Sequence, residues 1–211
     1  MDSETEKRVA AEAAAALVED GMTVGLGTGS TVAYLLSALV GLDLRCVATS
    51  LRTEQAAREL GLAVEPFDRL AGLDIAIDGA DQIAPDGWLV KGGGGAHTRE
   101  KIVAAAADRF VVIASSDKDV ERIVAPIPLE LLPFGLAATL AALGDVRLRD
   151  APPSPDGGAI ADYHGPVDDL EQLAARLAGT PGVVDHGLFP ASLVSDVIVA
   201  RSTEIEHKHF T

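Results

Sequence analysis

The sequence is poor in cysteine, in aromatic residues and in positive charge, and each shortage excludes a class of protein. The single cysteine, Cys46, lies in an apolar run and cannot form an internal disulfide, so we expect a buried structural thiol. Aromatic residues make up only 4% of the chain, which leaves little material for stacking on nucleic-acid bases. The formal net charge of −15 would repel a nucleic-acid partner over most of the surface.

The excess of acidic residues leaves two interpretations open, ordinary solubility and adaptation to a salty cytoplasm. In both cases an anionic ligand must be met by a local cluster of donors, because the overall field of the protein opposes it. The sequence has neither the apolar segment of a signal peptide near its start nor an apolar run long enough to span a bilayer. We therefore expect a cytoplasmic protein with no nucleic-acid or membrane partner.

Short β-rich runs alternate with helical segments through the first half of the chain. We predict strands at residues 22–26, 44–48, 63–66, 74–77, 88–90 and 110–114, and helices at residues 5–19, 32–39, 53–60 and 98–107. This alternation predicts an α/β fold in which a mostly parallel sheet is flanked by helices.

The pattern changes after Lys118, where prolines crowd the connection and residues 152–158 form a turn-rich break. We predict a small α+β lobe over residues 125–195 and a main domain built from residues 1–124 together with 196–211. Residues 196–200 are predicted to form a last strand of the main sheet, and residues 207–209 are predicted to lie in a frayed tail.

Polar residues follow four of the predicted strands, at residues 28–31, at Ser50, at Asp78 and Asp81, and after Val90. In open parallel sheets ligands bind at the carboxyl ends of the strands. We therefore expect these four polar clusters to converge on one site.

The loop at residues 25–31 reads GLGTGST and opens a predicted helix. Its free backbone N–H groups and the hydroxyls of Thr28, Ser30 and Thr31 suit a phosphate group. A dinucleotide fingerprint is a poor match, because its third glycine falls at Ser30 and no carboxylate ends the second strand. A mononucleotide P-loop is excluded because no lysine follows. A plain strand–helix turn with capping hydroxyls remains the alternative.

Asp78 and Asp81 flank a glycine turn at the end of a predicted strand. The two carboxylates suit sugar hydroxyls, but Asp beside Gly is also common in helix caps and Asx turns. A metal is less favoured, because no histidine or third acidic residue stands at a supporting spacing. The five histidines are scattered, and we assign none to a metal.

The stretch from Lys91 to Glu100 carries the most chemical information. Its four glycines allow the backbone to approach a ligand closely, and Lys91 places positive charge where an enediolate oxygen would develop. Glu100, in the first turn of the next helix, suits the role of a base for a proton alpha to a carbonyl. The helix N-terminus and Lys91 should lower the pKa of Glu100, so burial on ligand closure would have to offset them. A first-turn residue favoured only by the helix dipole is the alternative.

Two further lysines are candidates for binding an anion. Lys118 follows a predicted strand and could reach a phosphate, or it is a solvated loop lysine. Lys7, on the first helix, is the weaker candidate.

Taken together, these motifs resemble the ribose-5-phosphate isomerase A family over nearly the whole chain. The matching segments are residues 25–32 (GLGTGSTV), 49–61 (TSLRTEQAARELG), 74–83 (DIAIDGADQI), 89–104 (LVKGGGGAHTREKIVA), 110–118 (FVVIASSDK) and 181–189 (PGVVDHGLF). The sequence departs from the family pattern at Gln82, at GGGGAH where GGGAAL-like forms are frequent, and around residues 155–164.

The resemblance implies a Rossmann-like main domain with a small α+β lobe, no metal, no cofactor, and a homodimer or homotetramer. It implies substrate-binding roles for Thr28, Gly29, Ser30, Thr31, Asp78, Gly79, Ala80, Asp81, Lys91, Gly92, Gly93, Gly94 and Lys118. It also implies catalytic roles for Glu100, Asp78, Asp81 and Lys91, with Glu100 as the proton-transferring carboxylate.

The expected activity is the interconversion of ribose 5-phosphate and ribulose 5-phosphate through a cis-enediolate, in the non-oxidative branch of the pentose phosphate pathway. The alternatives are a non-catalytic sugar-phosphate-sensing domain, a CoA transferase and an amino-sugar phosphate deaminase of related fold. The presence of both Lys91 and Glu100 favours an enzyme over a sensor.

Overall fold

The structure, a computed structural model, describes residues 3–210. Its helices are α1 (Ser3–Ala15), α2 (Ser30–Ala38), α3 (Leu51–Glu59), α4 (His97–Ala105), α5 (Leu136–Leu143) and α6 (Leu170–Ala178). Its strands are β1 (Thr23–Leu26), β2 (Arg45–Ala48), β3 (Ile75–Asp78), β4 (Gln82–Ile83), β5 (Leu89–Val90), β6 (Phe110–Ser115), β7 (Ile127–Leu131), β8 (Val146–Leu148), β9 (Ala159–Tyr163), β10 (Val183–His186), β11 (Leu188–Phe189), β12 (Asp196–Arg201) and β13 (Glu204–His209). None of the helices in this range is both long and apolar enough to cross a membrane.

The main sheet has six strands in the order β13-β12-β6-β3-β1-β2. The five strands from β12 to β2 are parallel to their neighbours, and β13 pairs antiparallel with β12 at one edge. The return of residues 196–200 to this sheet is confirmed, with Ile198 of β12 in register with Ile113 of β6. The predicted α/β architecture is therefore confirmed.

The central strands carry apolar side chains on both faces of the sheet, and helices cover both faces. Every residue of β6 is buried, as expected for a strand with helices on both sides. Small residues of α1, including Ala10 and Ala14, are fully buried in the core cluster on one face, and Val103 of α4 belongs to the cluster on the other. Cys46 is fully buried and burial raises the pKa of its thiol to about 11, which confirms the predicted structural cysteine.

A second, antiparallel sheet has the order β10-β7-β9-β8 and packs against α5 and α6 around a separate cluster that includes Leu129 and Leu177. All four strands fall within the predicted lobe at residues 125–195. A three-stranded sheet, β11-β5-β4, joins the two regions of the chain. The division into two domains stays a prediction, and its outermost residues 1–2 and 211 lie outside the described range.

Two local predictions were wrong, and one short strand was not predicted. Residues 63–66 form no strand and make a single parallel bridge between Val64 and Cys46, because the chain leaves the sheet for a 3-10 turn at Phe67–Arg69 directly after Pro66. The short strand β4 was not predicted, because two residues carry no periodicity. Residues 207–209 are not frayed but end β13, which pairs along its whole length with β12. The sequence of β13 is mostly polar and therefore does not predict a strand; the strand is identified by its pairing with β12.

Candidate functional site

A cavity of about 180 Å³ lies where the carboxyl ends of the parallel strands meet the glycine-rich loop after β5. Its lining consists of Lys7, Thr28, Gly29, Ser30, Thr31, Val32, Gly79, Ala80, Asp81, Lys91, Gly92, Gly93, Gly94, Glu100 and Lys118. Every sequence-predicted site residue except Asp78 is in this lining. Ser50 is not in it, and caps α3 by accepting a hydrogen bond from the Thr53 amide at 3.2 Å.

The loop after β1 presents the start of α2 to the cavity. Gly29 precedes the helix with a φ of 139°, in a region that favours glycine. The amide of Ala33 donates to the carbonyl of Gly29 at 3.2 Å, so the amides of Ser30 and Thr31 precede the first intrahelical bond. These amides and the positive end of the helix dipole form an anion-binding environment.

Asp78 lies beneath the cavity and joins two of its loops. Its Oδ1 accepts hydrogen bonds from the amides of Thr28 at 3.0 Å and Gly79 at 2.7 Å, and its Oδ2 lies 2.9 Å from Lys91 Nζ. The carboxyl group packs directly against Gly27, where a Cβ would lie 1.9 Å from the Asp78 carboxyl carbon. The glycine at position 27 is therefore needed for this contact.

Lys91 and Glu100 form the buried chemical centre of the cavity. Lys91 Nζ lies 3.2 Å from Glu100 Oε2, donates to the carbonyl of Gly79, and sits 5.5 Å from the ring centroid of Phe189. Burial by itself would lower the pKa of Lys91, but the charges of Asp78 and Glu100 raise it above its ordinary value. Lys91 is therefore a fixed cation.

The pKa of Glu100 is raised to about 8, first by burial and then by the charge of Asp78, against the opposing effect of Lys91. Burial also raises the pKa of Asp78, but Asp78 accepts hydrogen bonds from two amides and Lys91, whereas the side chain of Glu100 has Lys91 as its one polar partner among residues 3–210. The shared negative charge is thus better held by Asp78. The sequence predicts that the helix N-terminus and Lys91 lower the pKa of Glu100. Burial outweighs this effect without any loop closure, because Glu100 is only 4% exposed.

Residues of the predicted lobe hold the part of α4 that carries Glu100. The contacts are Thr98 with Glu130, Arg99 with Asp156, and Lys101 with Asp185. The three α4 residues lie on both sides of Glu100 in the sequence, and their partners belong to three separate segments of the predicted lobe. This arrangement restricts rotation and translation of the first helical turn.

The same lobe also holds the glycine loop. Arg149 Nη1 donates to the carbonyls of Gly92 at 2.8 Å and Gly93 at 3.2 Å, while its guanidinium pairs with both oxygens of Asp162. On the other side, the Gly93 amide donates to Asp81 Oδ2 at 2.7 Å. Arg149 was not predicted as a site residue, since it lies in no sequence motif that would distinguish it from the other arginines of the predicted lobe.

His97, at the start of α4, is fully buried behind Gly92. Neither ring nitrogen makes a well-formed hydrogen bond with any residue from 3 to 210, although the backbone of Asp185 partly favours the charged ring. Burial lowers the pKa of His97 to about 4, so the ring is neutral near pH 7.

The cavity lining also contains Val32, which was not among the predicted site residues, and Lys7, which the sequence offered only as the weaker anion-binding candidate. Lys7 Nζ lies 2.6 Å from a carboxylate oxygen of Glu4, and Lys118 Nζ lies 3.1 Å from Asp117 Oδ2. The packing of α1 against the sheet brings Lys7 to the cavity. Lys7, Lys91 and Lys118 bring three ammonium groups to a lining that also contains Asp81 and Glu100.

The fold and the cavity define an α/β protein with a buried glutamate–lysine pair and an exposed helix start at the carboxyl ends of its parallel strands. The family model for Ribose 5-phosphate isomerase A (phosphoriboisomerase A) matches residues 45–204. The chain therefore belongs to the ribose 5-phosphate isomerase A family.

Individual relatives agree with this assignment. A curated relative, Ribose-5-phosphate isomerase A of Haloarcula marismortui, is 43% identical over 204 residues, covering 89% of this chain and 88% of the relative. The crystal structure of ribose 5 phosphate isomerase A from Neisseria gonorrhoeae superposes with a TM-score of 0.94 at 30% identity, covering 100% of this chain and 98% of the other. A D-ribose-5-phosphate isomerase in complex with phospho-erythronic acid gives a TM-score of 0.93 at 32% identity, covering 99% and 100%.

Proposed function

We propose that this chain interconverts ribose 5-phosphate and ribulose 5-phosphate as an aldose–ketose isomerase, within the non-oxidative pentose phosphate pathway. Its family membership and the names of its curated relatives support this activity. The observation that carries the chemistry is the buried pair of Glu100 and Lys91, 3.2 Å apart in a cavity that also holds the start of α2. The relative bound to phospho-erythronic acid supports a phosphorylated sugar-like ligand.

Glu100 is the base in the proposed mechanism. After the sugar ring opens, its carboxylate takes the proton from C2 of the aldose and returns it to C1 through a cis-enediolate. A pKa near 8 makes the carboxylate a stronger base than an exposed glutamate, and part of the population is ionised at neutral pH. A positioned base of this kind contributes roughly 10²- to 10⁴-fold to the rate.

Lys91 and the backbone amides of the glycine loop stabilise the enediolate oxygen as negative charge develops on it. Because Lys91 is only 3% exposed, its charge acts where water does not screen it. The contact with Asp78 holds the ammonium in place before the substrate arrives, so little reorganisation is needed at the moment of reaction.

The remaining lining residues bind the two ends of the substrate. The start of α2, with Ser30 and Thr31, and the lysines Lys118 and Lys7 bind the phosphate group. Asp81 orients sugar hydroxyls and assists ring opening with its accessible carboxylate. Asp78 shares that predicted role, and its contacts beneath the cavity support a second role in holding Lys91 and the two loops. Phosphate binding positions the reacting carbons near Glu100.

Incubation of the protein with ribose 5-phosphate in heavy water tests this proposal. Formation of ribulose 5-phosphate together with solvent deuterium in the product is expected, because a side-chain base exchanges its proton with solvent. A sugar-phosphate sensor would bind the substrate without converting it, a deaminase would release ammonia from an amino-sugar phosphate, and a CoA transferase would form a glutamyl-CoA adduct. Binding without turnover would overturn the proposed activity.

Two further expectations complete the proposal. A homodimer or homotetramer and a cytoplasmic location remain predictions that rest on the family resemblance and the composition. Sedimentation of the purified chain would distinguish the monomer from the two predicted assemblies.

A further inference from the structure

The edge strand β13 carries two histidines that converge on one carboxylate. In the antiparallel pair of β12 and β13, Asp196 is directly opposite His209, and His207 lies two residues away on the same face. His207 Nε2 lies 2.8 Å from Asp196 Oδ1, and His209 Nδ1 lies 2.6 Å from the same oxygen. The two imidazole ring centroids are 4.2 Å apart. Three donor atoms therefore converge on one point.

Arg109 fixes the orientation of the carboxylate. Its Nε donates to Asp196 Oδ2 at 2.6 Å, and Asp196 is only 2% exposed. The arginine occupies one oxygen and leaves the other turned toward the imidazoles. A partner that orients a ligating carboxylate in this way is a regular feature of metal sites in proteins.

We propose that Asp196, His207 and His209 form a binding site for a divalent transition-metal ion, Zn²⁺. Two imidazole nitrogens and one carboxylate oxygen are a donor set that suits zinc with a water molecule in the fourth position. His209 is 66% exposed in its side chain, so the fourth position faces solvent. Zinc bonds of about 2.0–2.1 Å in a tetrahedron separate the donor atoms by roughly 3.3 Å. The rings would thus move outward by roughly 0.5–0.7 Å from their present contacts.

The charges around the cluster decide which cation it prefers. The guanidinium of Arg109 already balances the carboxylate of Asp196, so a cation held mainly by charge, such as Mg²⁺ or Ca²⁺, gains little there. The two imidazoles supply the affinity, and imidazole favours zinc and its neighbours in the transition series over the hard cations. The site should therefore bind Zn²⁺ and Co²⁺ and reject Mg²⁺.

The site lies away from the catalytic cavity. Asp196 is the first residue of β12, so it stands at the amino end of the parallel strands, whereas the cavity lies at their carboxyl ends. None of the three residues lines that cavity. The ion would clamp β13 to β12 and stabilise the folded chain, because the three donors converge only in the folded state.

Calorimetric titration of the chelator-treated full chain with ZnCl₂, and visible absorption after adding CoCl₂, test the site. One Zn²⁺ per chain and a four-coordinate Co²⁺ spectrum are expected, with no heat from MgCl₂. His207→Gln and His209→Gln should each weaken zinc binding at least about tenfold. Glutamine retains a side-chain donor for Asp196, so these variants keep the strand pairing.

His164→Gln is the matched control, because His164 lies in the loop after β9 and is absent from the cluster; it should bind zinc like the unaltered chain. All three variants should keep isomerase activity, which separates this test from that of the catalytic proposal. Unchanged zinc affinity in the His207→Gln/His209→Gln double variant would overturn the site, as would the lack of saturable Zn²⁺ binding by the unaltered chain.

Discussion

Glu100 Oε2 lies 3.2 Å from Lys91 Nζ, and each side chain is no more than 4% exposed. The pair combines a carboxylate of raised pKa with a cation whose charge is kept by two carboxylate neighbours. The base can take a proton while the ammonium stabilises the oxygen that becomes negative. Asp78 supports this arrangement, since its Oδ2 lies 2.9 Å from Lys91 Nζ and holds the ammonium in place.

Replacement of Glu100 by glutamine should remove the base and leave the shape of the cavity unchanged. We expect kcat to fall by at least about 10²-fold, and up to about 10⁴-fold, with substrate binding little changed. Steady-state kinetics and calorimetric binding of ribose 5-phosphate measure the two effects. Glu12→Gln, on an exposed position of α1, is the control and should behave like the unaltered protein. Near-normal turnover of Glu100→Gln would refute its role as the base.

The raised pKa of Glu100 predicts the pH dependence of the reaction. The ionised carboxylate is the active form, so kcat/KM should rise with pH along an acid limb whose apparent pKa lies well above 4.5 and approaches 8. Asp78 titrates together with Glu100, so the limb reports the pair. An acid limb at or below 4.5 would contradict the assignment of a buried base.

The same raised pKa makes a prediction for stability. Because the folded state holds the Glu100 proton more tightly than the unfolded chain, the contribution of Glu100 to the free energy of unfolding is present below pH 4.5 and is lost as pH rises toward 8. Relative to the unaltered chain, Glu100→Gln should therefore become more stable with rising pH over this window. Denaturant unfolding at several pH values measures the difference, and a difference that does not change with pH would count against the shift.

Gly27 should tolerate no side chain. A Cβ there would lie 1.9 Å from the carboxyl carbon of Asp78, so Gly27→Ala must displace Asp78 and the loop that Asp78 holds. We expect the free energy of unfolding to fall by about 1–3 kcal/mol and kcat/KM to fall with it. Gly72→Ala is the control, since its Cβ would meet only the Ala106 carbonyl at 3.5 Å, and it should change stability by no more than about 0.5 kcal/mol. Equal behaviour of the two variants would show that the close packing is unimportant.

Arg149 should act as a positioning residue for the glycine loop. Its hydrogen bonds to the carbonyls of Gly92 and Gly93 orient loop amides that stabilise the enediolate only in the transition state. Arg149→Ala should therefore lower kcat by roughly 10- to 100-fold and change KM little. Arg149→Lys should recover only part of the rate, because an ammonium cannot reproduce the fork that also pairs with Asp162.

The exposed Arg147 on β8 provides the matched control for this experiment, and Arg147→Ala should leave both kinetic constants unchanged. A rise in KM with constant kcat in Arg149→Ala would instead indicate a role in ground-state binding alone.

We expect His97 to lower the free energy of unfolding of the unaltered chain. Its ring nitrogens are buried without well-formed hydrogen bonds, so His97→Leu should raise the free energy of unfolding by about 1 kcal/mol or more near pH 7. The pKa of His97 is lowered to about 4 from 6.5, so the stability of the unaltered chain should decline as pH falls through that range. Most of this decline should be absent from His97→Leu. His164→Leu, at a partly exposed position, is the comparison, and lower stability of His97→Leu would show an unrecognised partner for the ring.

The sequence by itself determined the parallel sheet, the order of the loops and nearly all of the cavity lining. The reason is geometric: glycine loops and polar residues that follow parallel strands lie at one edge of the sheet, although Ser50 at that edge caps α3 and does not line the cavity. The loop at residues 25–31, Asp81 and the stretch from Lys91 to Glu100 could therefore be assigned to one site from their positions along the chain.

Only the tertiary structure decided the depth and electrostatics of that site. The burial that raises the pKa of Glu100, the place of Asp78 beneath the cavity and the reach of Arg149 from the lobe all depend on contacts between segments far apart in sequence. The pairing of β13 with β12 is of the same kind, since a polar edge strand is specified by its partner and not by its own pattern. A local pattern encodes which face a residue takes, whereas burial and pKa follow from everything that packs around it.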